Sequence, residues 1–239
     1  TLADMTGRLL LDDVSLAIPA GGQTVLFCTD EATPLALAGL LPRFCDPTAG
    51  QVLYDGRDVR QAKLESLRHQ VLLILPDRLA TDGTLLQSIV GDNHRFTPDE
   101  IKLAIQLAQA DDVVRSLSKG LETIVGSEGV QIGVGQAIRL ALARVVLCRP
   151  SVVVIAEPTE DIDQATAERI AEALQQTTKN CTLIVLARRL ATLRSASRIL
   201  LFHEGKLVAS GTHPELLLQS ELYRHLNYVR FNEFRDKLK

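Results

Sequence analysis

Residues 25–41 read VLFCTDEATPLALAGLL: an apolar run, a short polar loop, then an apolar stretch suited to a helix. A strand that enters a helix through such a loop marks an α/β fold, and the first helical turn offers unpaired N–H groups to an anion. The loop from Thr29 to Pro34 contains no glycine and no lysine, and it carries Asp30 and Glu31. Two carboxylates therefore stand where an anion would sit. Either a phosphate site has been lost here or the loop never was one.

Outward from this junction, strand-like runs recur at 24–28, 51–54, 71–75, 152–156, 182–187, 199–203 and 206–210. Several are continuous Val/Ile/Leu stretches, as expected of strands buried on both faces of a mostly parallel sheet. The last two, joined at Glu204-Gly205, predict a hairpin. In FTPDEIKLAIQLAQA (96–110), Thr97 is placed to cap a helix, Pro98 to sit at its first position and Glu100 to complete a capping box. Ile101, Ala104, Ile105 and Ala108 form its apolar face. A second helix is predicted after Gly135, with Ile138, Ala141, Leu142 and Val145 inward. Strands dominate before about residue 75 and after about 151, so the spacing predicts a core lobe of 1–75 and 151–239 with a helical subdomain of 76–150.

The 239 residues are 46% hydrophobic and 23% charged, with a formal net charge of −3. That balance gives no broad basic field, and nucleic acid is not an expected partner. No run approaches the ~20 apolar residues of a membrane-spanning helix, and TLADMTGR is neither a signal peptide nor an initiator methionine. Thr1 is accordingly expected to begin a piece of a longer polypeptide. Cys28, Cys45, Cys148 and Cys181 show no CxxC pairing and are expected to be small buried apolar residues in a reducing compartment. The five histidines show no metal-ligand spacing and are expected on surfaces or loops. No serine sits in a GxSxG elbow. The C-terminal LYRHLNYVRFNEFRDKLK reads as a solvated helix, or as one that docks a partner.

Taken together and in order, FCDPTAG (44–50), GSEGVQIGVGQAIRLALAR (126–144), SVVVIAEPTEDID (151–163), TLIVLARRLATLR (182–194) and GTHPELL (211–217) resemble the ATP-binding domain of ABC transporters, and the exporter class in particular. The resemblance spans nearly the whole chain. It implies a RecA-like P-loop NTPase core, α/β in class, with an antiparallel β flank and the inserted helical subdomain. It also implies two such domains closing around ATP and magnesium to move attached membrane helices.

Position by position, the resemblance implies a site whose contacts are replaced. The family's phosphate loop, GxxxxGKST, falls on residues 28–36. Its glycines become Cys28 and Thr33, its lysine Pro34, its magnesium-binding serine Leu35 and the residue after it Ala36; Asp30 and Glu31 lie between. The magnesium-orienting aspartate is Ala156, the histidine that meets the terminal phosphate is Arg188, and the coupling glutamine is Pro76, or Asp77 with one deletion. No aromatic residue precedes Leu10 to stack on adenine. Glu157 matches the glutamate that activates water. The signature LSGGQ is Ile132-Gly133-Val134-Gly135-Gln136, where Gly133 replaces the serine and Val134 a glycine; Asp163 belongs to the same dimer-facing set. The segment TxVGERG is Thr123-Ile124-Val125-Gly126-Ser127-Glu128-Gly129.

Losing the lysine and its companion donors forfeits about 1.5–3 kcal/mol per charge-assisted bond. A carboxylate ~6 Å from one phosphate charge adds about 3 kcal/mol of repulsion at an effective dielectric of ~20. Together these exceed the roughly 5–6 kcal/mol between a ~10 μM ligand and one too weak to matter in a cell. The loop still starts a helix, its N-terminal donors being answered by Asp30 and Glu31. The expectation is a former phosphate site: a degenerate domain that does not hydrolyse ATP, holds no cofactor, and acts structurally at the cytoplasmic face of a membrane. Its expected partners are an exporter's transmembrane domain upstream on the same chain and a second ATP-binding domain. The alternative is a working ATPase with deviant loops and Glu157 as base; a stand-alone interaction module is a third reading.

Overall fold

Two short strands, β1 (Leu2–Ala3) and β2 (Leu9–Leu11), pair antiparallel and precede β3 (Gln23–Cys28). Thr24 to Cys28 are all buried, which is why this strand shows no polar alternation. Helix α1 (Ala32–Leu40) follows and buries Ala36 and Leu40 against Leu2 and Leu11. Strands β4 (Leu53–Tyr54) and β5 (Arg57–Asp58) form a hairpin. Its turn is Asp55-Gly56, both with positive φ, 48° and 77°, as a two-residue hairpin turn demands. Gln51 and Val52 lie outside the strand, so the predicted 51–54 strand is shorter than its apolar pattern suggested. Helix α2 (Leu64–Gln70) leads into β6 (Val71–Ile74).

The computed structural model describes residues 1–76, 83–91 and 95–231, and within it the chain divides into two units, Thr1–Val71 with Leu183–Lys239, and Leu72–Thr182. The second unit holds β7 (Gly83–Thr84), α3 (Leu85–Val90), α4 (Pro98–Leu107), α5 (Asp111–Ser116), β8 (Ile124–Val125), α6 (Val134–Cys148), β9 (Val152–Ala156) and α7 (Gln164–Thr177). It thus contains the helical stretch together with β9 and α7. The capping box forms at α4: the Glu100 amide donates to Thr97 Oγ1 (3.3 Å) and the Thr97 amide to Glu100 Oε2 (2.8 Å). Ala104, Ile105 and Ala108 are buried below it, as are Ile138, Ala141, Leu142 and Val145 of α6.

The chain returns to the first unit through β10 (Thr182–Leu186), α8 (Leu190–Ser195), β11 (Ile199–His203), β12 (Lys206–Gly211), α9 (His213–Gln219) and α10 (Glu221–Phe231). Its strands lie in the order β12-β11-β3-β10; β10 and β11 run parallel to β3, and β12 returns antiparallel. This is an α/β fold with a mostly parallel central sheet and antiparallel flanking strands. Because three neighbouring strands point the same way, the loops that leave β3, β10 and β11 gather at one edge, where such folds place their sites. Register fixes this: Leu26 pairs with Leu186, and Cys28 with Phe202.

Candidate functional site

At that edge the loop after β3 is closed by its own side chains. Asp30 accepts from the Thr33 amide (2.7 Å) and from the Thr33 hydroxyl (2.8 Å). The buried Thr33 hydroxyl oxygen also lies 3.3 Å from the Leu10 carbonyl, an alternative acceptor for its one proton. Of the first three helical residues of α1, Thr33 therefore spends its N–H on a carboxylate and Pro34 has none. Glu31, at the N-cap position, makes no capping bond. Its Oε1 instead accepts from both terminal nitrogens of Arg188, each at 3.0 Å. The sequence assigned both carboxylates to the helix donors; one suffices, and the second pairs with the loop after β10. Both partners of that pair are well exposed, so its worth is about 0–1 kcal/mol. Its importance lies in what it occupies.

Cys28 ends β3, and burial, with the Asp30 charge, pushes its thiol far above the ordinary range against the opposing pull of Arg230. Leu35 is half-buried and offers no oxygen ligand, while Ala36 belongs to the apolar cluster beneath α1. Thr29 is held by two elements that sequence reasoning did not connect to it: its carbonyl accepts from Arg230 (3.1 Å) and its hydroxyl meets His203 Nδ1 (3.2 Å).

The second unit carries the remaining residues. Ala156 ends β9 and Glu157 follows it, both half-buried. Pro76 is buried; Asp77 lies outside the described residues. Asp163 caps α7, accepting from the Thr166 amide (2.9 Å) and hydroxyl (2.6 Å); these bonds hold its carboxyl below the usual range. Gly133 precedes α6, and its amide donates to Gln136 Oε1 at 3.0 Å, so the glutamine folds back on its own helix. Val134 is the first helical residue. Gly135 is buried with no room for a side chain, since a Cβ there would run into the Thr166 methyl. Gly129 is equally constrained by the Ile124 carbonyl, and Gly126 adopts φ 100°. Below α6, buried Arg139 binds the Asp112 carboxylate at 2.6 and 3.2 Å and the Gln109 carbonyl.

Among the described residues no group of three or more His, Cys, Asp or Glu could hold a metal ion, and no helix is long and apolar enough to cross a membrane. The histidine and cysteine expectations need correction. His213 is buried beneath α10, its Nδ1 2.8 Å from the Tyr223 hydroxyl. Cys28 and Cys181 are buried, but Cys45 is exposed.

The sequence pattern of the family described as ABC transporter matches residues 11–160. The chain belongs to the ABC transporter family. It is similar to ATP-dependent lipid A-core flippases: 33% identical over 247 residues to that of Thiobacillus denitrificans, covering 97% of this chain and 43% of the relative. The flippase of Paraburkholderia xenovorans is 34% identical over 226 residues, 95% of this chain and 38% of the relative. That of Photorhabdus laumondii is 34% identical over 224 residues, 93% and 39%. The chain thus spans about two fifths of the length of these relatives, and within the ABC transporter family it corresponds to a nucleotide-binding domain of the exporter class. The positions that the sequence resemblance assigns to the family's motifs divide between the two units: residues 28–36 and Arg188 in the first, Pro76, Ala156, Glu157, Asp163 and residues 132–136 in the second.

Proposed function

We propose that this domain neither hydrolyses ATP nor binds it appreciably, and that it serves as a structural and coupling part of an exporter assembly. The observation that carries the reading is the Asp30 carboxylate seated on the Thr33 amide and hydroxyl, with Glu31 paired to Arg188 beside it. A magnesium triphosphate does not fit the residues present. The helix donor it would use is taken by an internal carboxylate, Pro34 supplies neither a cation nor an N–H, and Leu35 and Ala156 supply no oxygen for the metal. The Asp30 carboxylate would repel a phosphate charge ~6 Å away by about 3 kcal/mol at an effective dielectric of ~20, while Glu31 is already offset by Arg188.

The assembly we infer places the domain at the cytoplasmic face of a membrane, joined to a transmembrane domain earlier in the same polypeptide. The relatives' greater length and their flippase names support this. A second, competent ATP-binding domain is the partner of choice, because two copies of this one would supply no intact site between them. Gln136 and Asp163 are engaged within their own chain, which supports the same view.

A second reading, a working ATPase with Glu157 as base, is favoured by that retained glutamate and by the ATP-dependent naming of the relatives. Steady-state phosphate release from Mg-ATP separates the two. The proposal expects background rates that Glu157→Gln leaves unchanged; turnover abolished by Glu157→Gln would establish the second reading.

A further inference from the structure

The loop after β3 is held from outside as well as from within. Tyr223, Asn227, Arg230 and Phe231 recur at helical spacing on α10 and so share one face. On that face Tyr223 is fully buried, its ring edge-on to Phe27 at 5.8 Å, and Phe231 stacks on Phe27 at 6.2 Å. The Arg230 guanidinium lies over the same Phe27 ring, 5.1 Å from its centroid, and donates to the Thr29 carbonyl at 3.1 Å. Phe27, itself fully buried, is next to last in β3. One helix thus grips the end of the strand and the first loop residue together. The far end of Thr29 is fixed by His203 of β11.

We propose that α10 is a strap on the loop after β3, with Arg230 as the positioning residue that sets the loop's conformation. A peptide plane carries its carbonyl and the following N–H on opposite sides. Fixing the Thr29 carbonyl towards α10 therefore turns the Asp30 amide, and the chain after it, the other way. Holding that carbonyl fixes the peptide plane from which the loop departs. A bond from a charged donor to a backbone carbonyl is among the stronger ones available to a loop, and the stacked ring limits where the guanidinium can go. Displacing α10 frees the loop; a seated α10 keeps it in the shape in which Asp30 meets Thr33. The strap acts on the loop whether or not nucleotide binds, and so goes beyond the functional reading above.

The test is hydrogen exchange and thiol modification on the full chain, read peptide by peptide by mass spectrometry without nucleotide. Arg230→Ala is expected to speed exchange of the 29–33 amides, and modification of buried Cys28, by about tenfold, with α6 and β10 unchanged. Arg230→Lys, which keeps the charge but not the planar stack, is expected to fall between. Tyr228→Ala, at an exposed position of the same helix, is expected to change neither. Unaltered exchange in Arg230→Ala, an equal rise in α6 and β10, or the same effect from Tyr228→Ala would overturn the strap. None of these readouts involves ATP, so failure here and failure of the functional proposal are separable.

Discussion

Replacing Asp30 by alanine should unfold the first unit more easily. The change removes two hydrogen bonds, at 2.7 and 2.8 Å, from a threonine that is only 2% exposed. Water cannot readily take their place, and the hydroxyl retains only its 3.3 Å contact with the Leu10 carbonyl. Loss of a capping carboxylate costs about 1 kcal/mol, and an abandoned buried donor adds about 1–2 kcal/mol. The sum, roughly 2–3 kcal/mol, corresponds to a fall in melting temperature of about 4–12 °C for a chain of this size. Tyrosine fluorescence in urea isolates the effect, because Tyr54, Tyr223 and Tyr228 are the only tyrosines, no tryptophan is present, and all three belong to the first unit. Asp30→Asn, which preserves a capping oxygen, should lose less than half as much. A neutral or stabilising Asp30→Ala would refute the reasoning, since that is how a carboxylate would behave whose only effect is to repel anions.

Three further outcomes follow from other contacts. Gly135→Ala should cost about 1–3 kcal/mol through overpacking against Thr166, and adding Thr166→Ser, which removes the obstructing methyl but keeps the hydroxyl on Asp163, should recover most of it; no recovery would remove packing as the reason a glycine stands there. Asp112→Asn should destabilise the second unit by about 1–3 kcal/mol, less than a fully buried broken pair because Asp112 is 44% exposed while Arg139 is 4% exposed, read as faster exchange in α6. Burial, helped by the Arg194 charge, lowers the pKa of His213 from 6.5, so the unfolded state takes up its proton first; stability should be complete above about pH 6.5 and decline below it. His213→Gln should flatten the urea midpoint below about pH 6.5, and an unchanged slope would contradict this.

Much of the fold was legible because its signals are local. The capping box at Thr97, the Glu204-Gly205 hairpin and the buried strands each lie within a few residues of the chain, where period and cap chemistry are decisive. The Asp55-Gly56 turn was equally legible and was missed, its hairpin obscured by apolar Val52 ahead of it. In the candidate site the residue types at 28–36 could be read directly, and the contact of Asp30 with the Thr33 amide followed from cap chemistry. What could not be read was how the loop is held. Glu31 meets Arg188 across 157 residues and Thr29 meets Arg230 across 201. The parallel pairing of β3 with β10 brings the first two together, and the packing of α10 on Phe27 the second two. The terminal helix read as solvated because a single face, set by Tyr223, Arg230 and Phe231, does the packing. His213 read as a surface residue because its burial depends on Tyr223 lying above it.

The measurement that bears most directly on the central claim is a calorimetric titration of Mg-ATP into the purified chain. With Asp30 on Thr33 and Glu31 on Arg188, no saturable heat is expected up to ~1 mM nucleotide. Saturation at ~10 μM, accompanied by protection of residues 28–36, would contradict it.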